Sequence, residues 1–254
     1  MQRKQQGGAK ARRRSRREAS TRARQTTMPF VRVARPGKKL GRPRSADSGV
    51  WHVRRGEVSS RVPMLVTMKL CAGLPSLRSR EESEIFFAAL RRVNRDHDVR
   101  IVHWVLLSNH MHLIVEGDDR EGVRKAMQGL AISLIRRWNH LWGRSGQVFA
   151  DRYHRRDLTT PTEVRNGLRY VFTNQARHTG GRPMITLRND DGSREYVPYV
   201  DRRYSSALDF NGWQEEYIER RPPTDESAAP RSWLLRVGYR RAGGLLSASD
   251  SLPR

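Results

Sequence analysis

Two apolar runs, residues 99–107 and 112–116, are separated by little more than Ser108-Asn109. A short polar break between two β-rich runs predicts an antiparallel pair of strands. The segment Asn109-His110-Met111-His112 then opens the second strand of the pair. Residues 62–70 are also β-rich, begin with Val62-Pro63 and lead into a Gly73-Leu74-Pro75 turn, which predicts an earlier strand.

Three helices are expected around these strands. Ser79 precedes Glu81, Glu82 and Glu84, with Ile85, Phe86, Ala89, Leu90 and Val93 at helical spacing, so residues 79–96 read as a capped amphipathic helix. Residues 120–141 place Met127, Leu130, Ala131, Leu134, Ile135 and Trp138 on one side, and Gly143 ends the run. After a further strand at 148–158, Pro161 opens a third helix that runs through Val164, Leu168, Tyr170 and Val171 to Arg177, ahead of Gly180-Gly181. The order is strand, helix, strand, strand, helix, strand, helix. It predicts an α+β fold of split βαβ type, an antiparallel sheet with helices on one face.

The charge is uneven along the chain. The 254 residues hold 50 Lys and Arg against 26 acids, a net charge of +24. Sixteen of those cations lie in the first 50 positions, with only Glu18 and Asp47 as acids, so that stretch carries +14. Residues 1–55 are therefore expected to be a disordered basic arm. Residues 56–181 hold the predicted elements. Residues 182–254 read as an irregular C-terminal extension with Trp213, Trp233 and Tyr239 as anchors. Such an excess of positive charge selects nucleic acid as the partner. No stretch reaches the ~18 apolar residues of a bilayer span, no secretory leader is legible, and the one cysteine, Cys71, excludes an internal disulfide. A cytosolic location and no membrane partner are expected.

Alternate strand residues share a face, so His110 and His112 direct two imidazoles to one point while Met111 faces the other way. Two histidines leave coordination positions open, which suits a catalytic ion that polarises a phosphate, and a third ligand is expected elsewhere. A pair of alternating solvent-side histidines is the plainer alternative. Tyr170 and Asn174 stand four residues apart on the third helix, hence on one helical face. The phenol could attack a phosphodiester beside a cation, and the amide could bind that cation. Tyr170 could equally be a packing aromatic, and Tyr153 is the rival nucleophile. Arg136, Arg137, Arg152, Arg155 and Arg156 could hold phosphates, with Tyr153, Trp138 and Trp142 available to stack on bases. Glu116 could orient a histidine or be a solvated strand end.

Three motifs, Ser108-Asn109-His110-Met111-His112-Leu113-Ile114-Val115-Glu116, Gly146-Gln147-Val148-Phe149-Ala150-Asp151-Arg152-Tyr153 and Tyr170-Val171-Phe172-Thr173-Asn174, together resemble the REP-associated tyrosine transposases. These belong with the single-tyrosine HUH transposases of the insertion-sequence 200 and 605 group. The resemblance covers about residues 62–179. It implies a ferredoxin-like sandwich in which His110 and His112 bind Mg²⁺ or Mn²⁺, Asn174 is the third ligand and Tyr170 is the nucleophile. It also implies cleavage and rejoining of single-stranded DNA near a hairpin through a 5′-phosphotyrosine, by a bacterial nucleoid-associated protein acting as monomer or homodimer. After the tyrosine the family motif usually runs from Asn into Pro, Val or Leu, Arg and Ala, whereas this chain reads Asn174-Gln175-Ala176-Arg177-His178. Other readings of the same residues are a non-catalytic nucleic-acid-binding protein, a metal-dependent nuclease using water, and a structural RNA-binding protein indifferent to metal.

Overall fold

A computed structural model describes residues 56–174, 184–189, 191–222 and 224–250. The basic segment 1–55, the expected end of the third helix at Arg177 and the Gly180-Gly181 pair lie outside the described residues. The elements follow the order β1 (Met64–Lys69), α1 (Arg80–Asp96), β2 (Val99–Leu106), β3 (His110–Gly117), α2 (Arg120–Leu141), β4 (His154–Asp157) and α3 (Pro161–Thr173). A hairpin of β5 (Met184–Arg188) and β6 (Arg194–Pro198) comes next, then a short helix α4 (Trp233–Arg236) between two 3₁₀ turns.

The first four strands form one antiparallel sheet in the order β2-β3-β1-β4. β3 lies between β1 and β2. Met64, Val66 and Met68 on β1, with Met111, Leu113 and Val115 on β3, pack on one face against Phe86 and Leu90 of α1 and Met127, Leu130, Leu134 and Trp138 of α2. The expectation that helices cover only one face is corrected here. Val102, Val105, Leu107 and Ile114 form a second core with Val164, Leu168, Val171 and Phe172 of α3, and with Phe210, Trp213, Tyr239 and Leu246. The reason is legible in β2, whose run Val99-Arg100-Ile101-Val102-His103-Trp104-Val105-Leu106 is apolar at both parities and so suits burial on both sides. A bulge between Ile101 and His103 puts Val102 on the second face beside its neighbour.

The segment after the hairpin is built into this second layer. Leu106 N donates to Tyr204 O at 2.7 Å and Ser206 N to Trp104 O at 2.9 Å, which covers the free edge of β2. Trp213 and Tyr239 are buried as anchors, whereas Trp233 is 48% exposed.

Two local expectations change. The strand expected over 148–158 is interrupted: Ala150 N donates to Lys69 O, the chain bends at Asp151-Arg152 where Arg152 N meets the Asp151 carboxylate, and regular pairing resumes only at His154. Ser79 stands at the N-cap of α1 without capping it, because its hydroxyl donates to Ser76 O instead. Caps do form on α2, through Asp119, and on α3, where Thr160 and Glu163 make a reciprocal capping box ahead of Pro161.

Candidate active site on the second sheet face

The register fixes which residues face α3. Val105, His112, Thr67 and His154 form one cross-strand row, and Lys69 pairs with His110 in the next. Directly paired residues project to the same side of a sheet. His110, His112, Thr67, Lys69 and His154 therefore share the face that carries Ile114, opposite the one that carries Met111.

The two histidine rings lie 4.9 Å apart, centroid to centroid, at 81°. Each Nδ1 has a neighbour: Asn109 Oδ1 at 2.7 Å from His110 and Thr67 Oγ1 at 2.8 Å from His112. With the Asn109 amide oxygen turned to it, His110 would carry its proton on Nδ1 and keep a lone pair on Nε2. The Thr67 hydroxyl can hold His112 in the same tautomer. This is the arrangement in which metal-binding imidazoles are held.

Helix α3 brings Tyr170 to the pair. Its ring stands edge-on to His112, with centroids 4.7 Å apart and planes at 70°. Gly167 on the same helix packs against Leu158, whose Cδ1 would lie 2.9 Å from a Cβ at that position. Asn174 follows one turn beyond Tyr170 and is 1% exposed, and its Nδ2 has no hydrogen-bond partner among the described residues. A half-turn of the amide exchanges that position with an oxygen.

These residues fit a divalent cation. A metal–nitrogen distance of about 2.1 Å places an imidazole centroid roughly 3 Å from an ion, so two rings on one ion lie about 4.5–5 Å apart. The 4.9 Å separation meets that requirement. Among the described residues no group of three His, Cys, Asp or Glu side chains could hold a metal, so a third protein donor has to be of another type, and the buried Asn174 amide one helical turn beyond Tyr170 is the candidate.

Other expected site residues are distributed differently. Tyr153 packs against the first core, on the α2 side of the sheet, away from the histidine face. Arg155 is turned inward, with its side chain 6% exposed, to Asp157 and to the carbonyls of Gly56 and Glu57. Arg136 and Arg137 are exposed on α2, which covers the opposite face. Arg152 is exposed at the bend before β4. Of the five arginines, Arg156 is placed by register on the histidine face, and it lies 3.5 Å from Glu163. Trp138 is buried, and Trp142, half-buried, turns one ring face to it at 5.8 Å, on the side of the sheet opposite the histidines. Glu116 is neither solvated nor joined to a histidine: it is 3% exposed and accepts from Arg231 N at 2.7 Å and Ser232 N at 2.8 Å. Thr67, Lys69 and His154 were not singled out from sequence. Alternation along β1 and β4 would have given their faces, but only the register puts them beside the histidines.

No protein-family model matches this chain, and no curated protein matches it in sequence. Among solved structures, a REP-associated tyrosine transposase bound to a REP hairpin is 22% identical, with a TM-score of 0.41, over 51% of this chain and 74% of that one. A bacterial tRNA(His) guanylyltransferase-like protein in complex with GTP is 9% identical, with a TM-score of 0.38, over 58% of this chain and 84% of that one. Both likenesses are partial in fold as well as in sequence.

Proposed function

We propose that this chain is a metal-dependent single-stranded DNA transposase or endonuclease of the single-tyrosine HUH type, acting near a hairpin through a 5′-phosphotyrosine. The observation that carries the reading is the Tyr170 ring against His112, itself paired with His110 and held through Nδ1 by Thr67. The motif resemblance around residues 108–116, 146–153 and 170–174 supports the same reading. The element order β1-α1-β2-β3-α2-β4, with β3 between β1 and β2, supports a ferredoxin-like sandwich.

His110, His112 and Asn174 would hold Mg²⁺ or Mn²⁺, which supplies positive charge to a non-bridging phosphate oxygen. The Tyr170 oxygen forms a bond to phosphorus as the bond to the 3′-oxygen breaks. The phenolic proton leaves to solvent and the freed 3′-oxygen takes one up. One phosphoester replaces another, so no nucleotide cofactor is required, and a second 3′-hydroxyl reverses the step on a new strand. Lys69, beside His110 in the register, can hold a phosphate of the bound strand.

The test is a denaturing gel of the full chain incubated with hairpin-bearing single-stranded DNA and Mn²⁺. A covalent protein–DNA adduct is expected in the wild type and Tyr153→Phe, and none in Tyr170→Phe or with EDTA. Free 5′-phosphate ends without adduct would instead show water as the nucleophile and overturn the reading.

A further inference from the structure

Among the described tryptophans Trp233 is the exposed one, where Trp142 is half-buried and Trp104, Trp138 and Trp213 are buried. Its ring is held in place. Gly238 lies so close that a Cβ there would meet Trp233 Cζ3 at 2.8 Å, and the Arg241 guanidinium sits 5.1 Å from the ring centroid. The indole borders an open groove of about 690 Å³ lined also by Arg61, Val62, Thr159, Pro161 and Arg231. Arg241 thus lies over the ring, and two further cations, Arg61 and Arg231, line the groove that the indole borders. The nearby carboxylate, Asp118, is 3.8 Å from Arg231, with both side chains 58% exposed. Glu116 ties this corner to the end of β3 by accepting from Arg231 N and Ser232 N.

The groove is positioned relative to the histidine pair by a rigid element. Pro161 at its rim is the first residue of α3 and Tyr170 lies nine positions on. At 1.5 Å per residue they are about 14 Å apart along the axis. A stacked strand advances about 3.4 Å per nucleotide, so this spans about four nucleotides, fewer if the strand is extended.

We propose that the groove is a base-stacking subsite for single-stranded DNA: an unpaired base lies on Trp233, and Arg61, Arg231 and Arg241 hold its flanking phosphates. Charge selects this occupant, because an exposed indole bordering a groove with Arg61 and Arg231, in a part of the chain that holds +10, is complementary to a polyanion that also carries π-faces. The proposal rests on the reading of this chain as a DNA-acting protein. It makes the DNA path run along α3, from the groove at its start to Tyr170 near its end.

The experiment measures binding of a dT12 oligonucleotide to the full chain in EDTA, so that no cleavage enters. Trp233→Ala should weaken binding about 5- to 150-fold, the equivalent of about 1–3 kcal/mol for one stacked base. Trp233→Phe should retain most of the affinity, and Arg231→Ala should lower the slope of log K against log salt by about 0.7. Unchanged dT12 binding by Trp233→Ala, with an unchanged unfolding midpoint, would overturn the proposal. So would a shift of Trp233→Ala to a smaller species in sedimentation with dT12 binding retained, which would make the groove a contact between copies. Adduct formation is scored separately. Weakened dT12 binding in a protein whose wild type forms no adduct leaves the subsite standing and removes the transposase reading, whereas adduct formation with unaffected binding removes the subsite alone.

Discussion

Tyr170 and Tyr153 lie on opposite faces of the sheet, so one is beside the histidines and the other packs against the first core. The residue that fixes the neighbouring imidazole is Thr67, 45 positions from His112 in sequence. Thr67→Val keeps the shape of the side chain and removes only the hydroxyl. Loss of such a partner costs about 10- to 100-fold in metal affinity or activity. A shift of that size in the Mn²⁺ concentration giving half-maximal adduct is expected, with unchanged DNA binding in EDTA. An unaltered Mn²⁺ dependence would show that Thr67 does not orient the ligand. A fourth histidine on this face has a structural task. His103 is packed edge-on against Phe172 and Phe210, at 5.0 and 5.5 Å, and burial pushes its imidazole down to about 3. Unfolded, it titrates near 6.5. Between those values the unfolded chain binds a proton that the native protein refuses, so this contribution to stability is complete above pH ~6.5 and declines as pH falls toward ~3. At pH 5 the loss is about 2 kcal/mol. Urea midpoints at pH 7.5 and 5.0 should therefore diverge more for the wild type than for His103→Gln, and equal divergence would contradict the assignment.

The elements were legible where a local period sets them, and illegible where pairing at long range does. The histidine strand follows from alternation, and the Tyr170–Asn174 face from helical spacing. α3 announced itself through Pro161, and the structure adds a capping box of Thr160 and Glu163 around it. The interrupted strand before β4 was misread because apolar Val148 and Phe149 do pair near β1, while the bend at Asp151 comes from a side-chain contact that no periodicity records. The second layer was missed for a similar reason. The segment that completes it is held by single contacts, such as Trp213 Nε1 to Ala207 O at 2.8 Å, and has no repeat to read. Glu116 is the firmest of these ties between β3 and the α4 corner. Glu116→Gln turns one accepting oxygen into a donor facing a backbone N–H, and leaving a buried group unsatisfied costs about 1–3 kcal/mol. Hydrogen exchange should rise first at residues 231–237, with β3 still protected. Loss of protection throughout the sheet at once would place Glu116 in the global fold and not in the local tie.

For the whole chain, the deciding quantity is where the charge resides. Positions 1–50 carry +14 of the net +24, so the remainder of the chain holds +10 spread over four times the length. Each phosphate neutralised by an arginine or lysine releases counterions and adds about 0.7 to the slope of log K against log salt on a single strand. If five of the sixteen cations in the segment engage phosphates, the slope steepens by about 3.5, which is roughly a 130-fold larger loss of affinity between 50 and 200 mM salt. Removal of residues 1–55 should therefore flatten the salt dependence of dT12 binding by several units and leave it almost unaffected at high salt, where counterion release contributes least. The stacking at Trp233 carries no charge, so its fold-effect should be the same in the full-length and shortened proteins. Adduct yield at saturating DNA should also be unchanged, because Tyr170, His110 and His112 lie outside the deleted segment. A shortened protein with the full salt slope would locate the DNA-binding charge in residues 56–254.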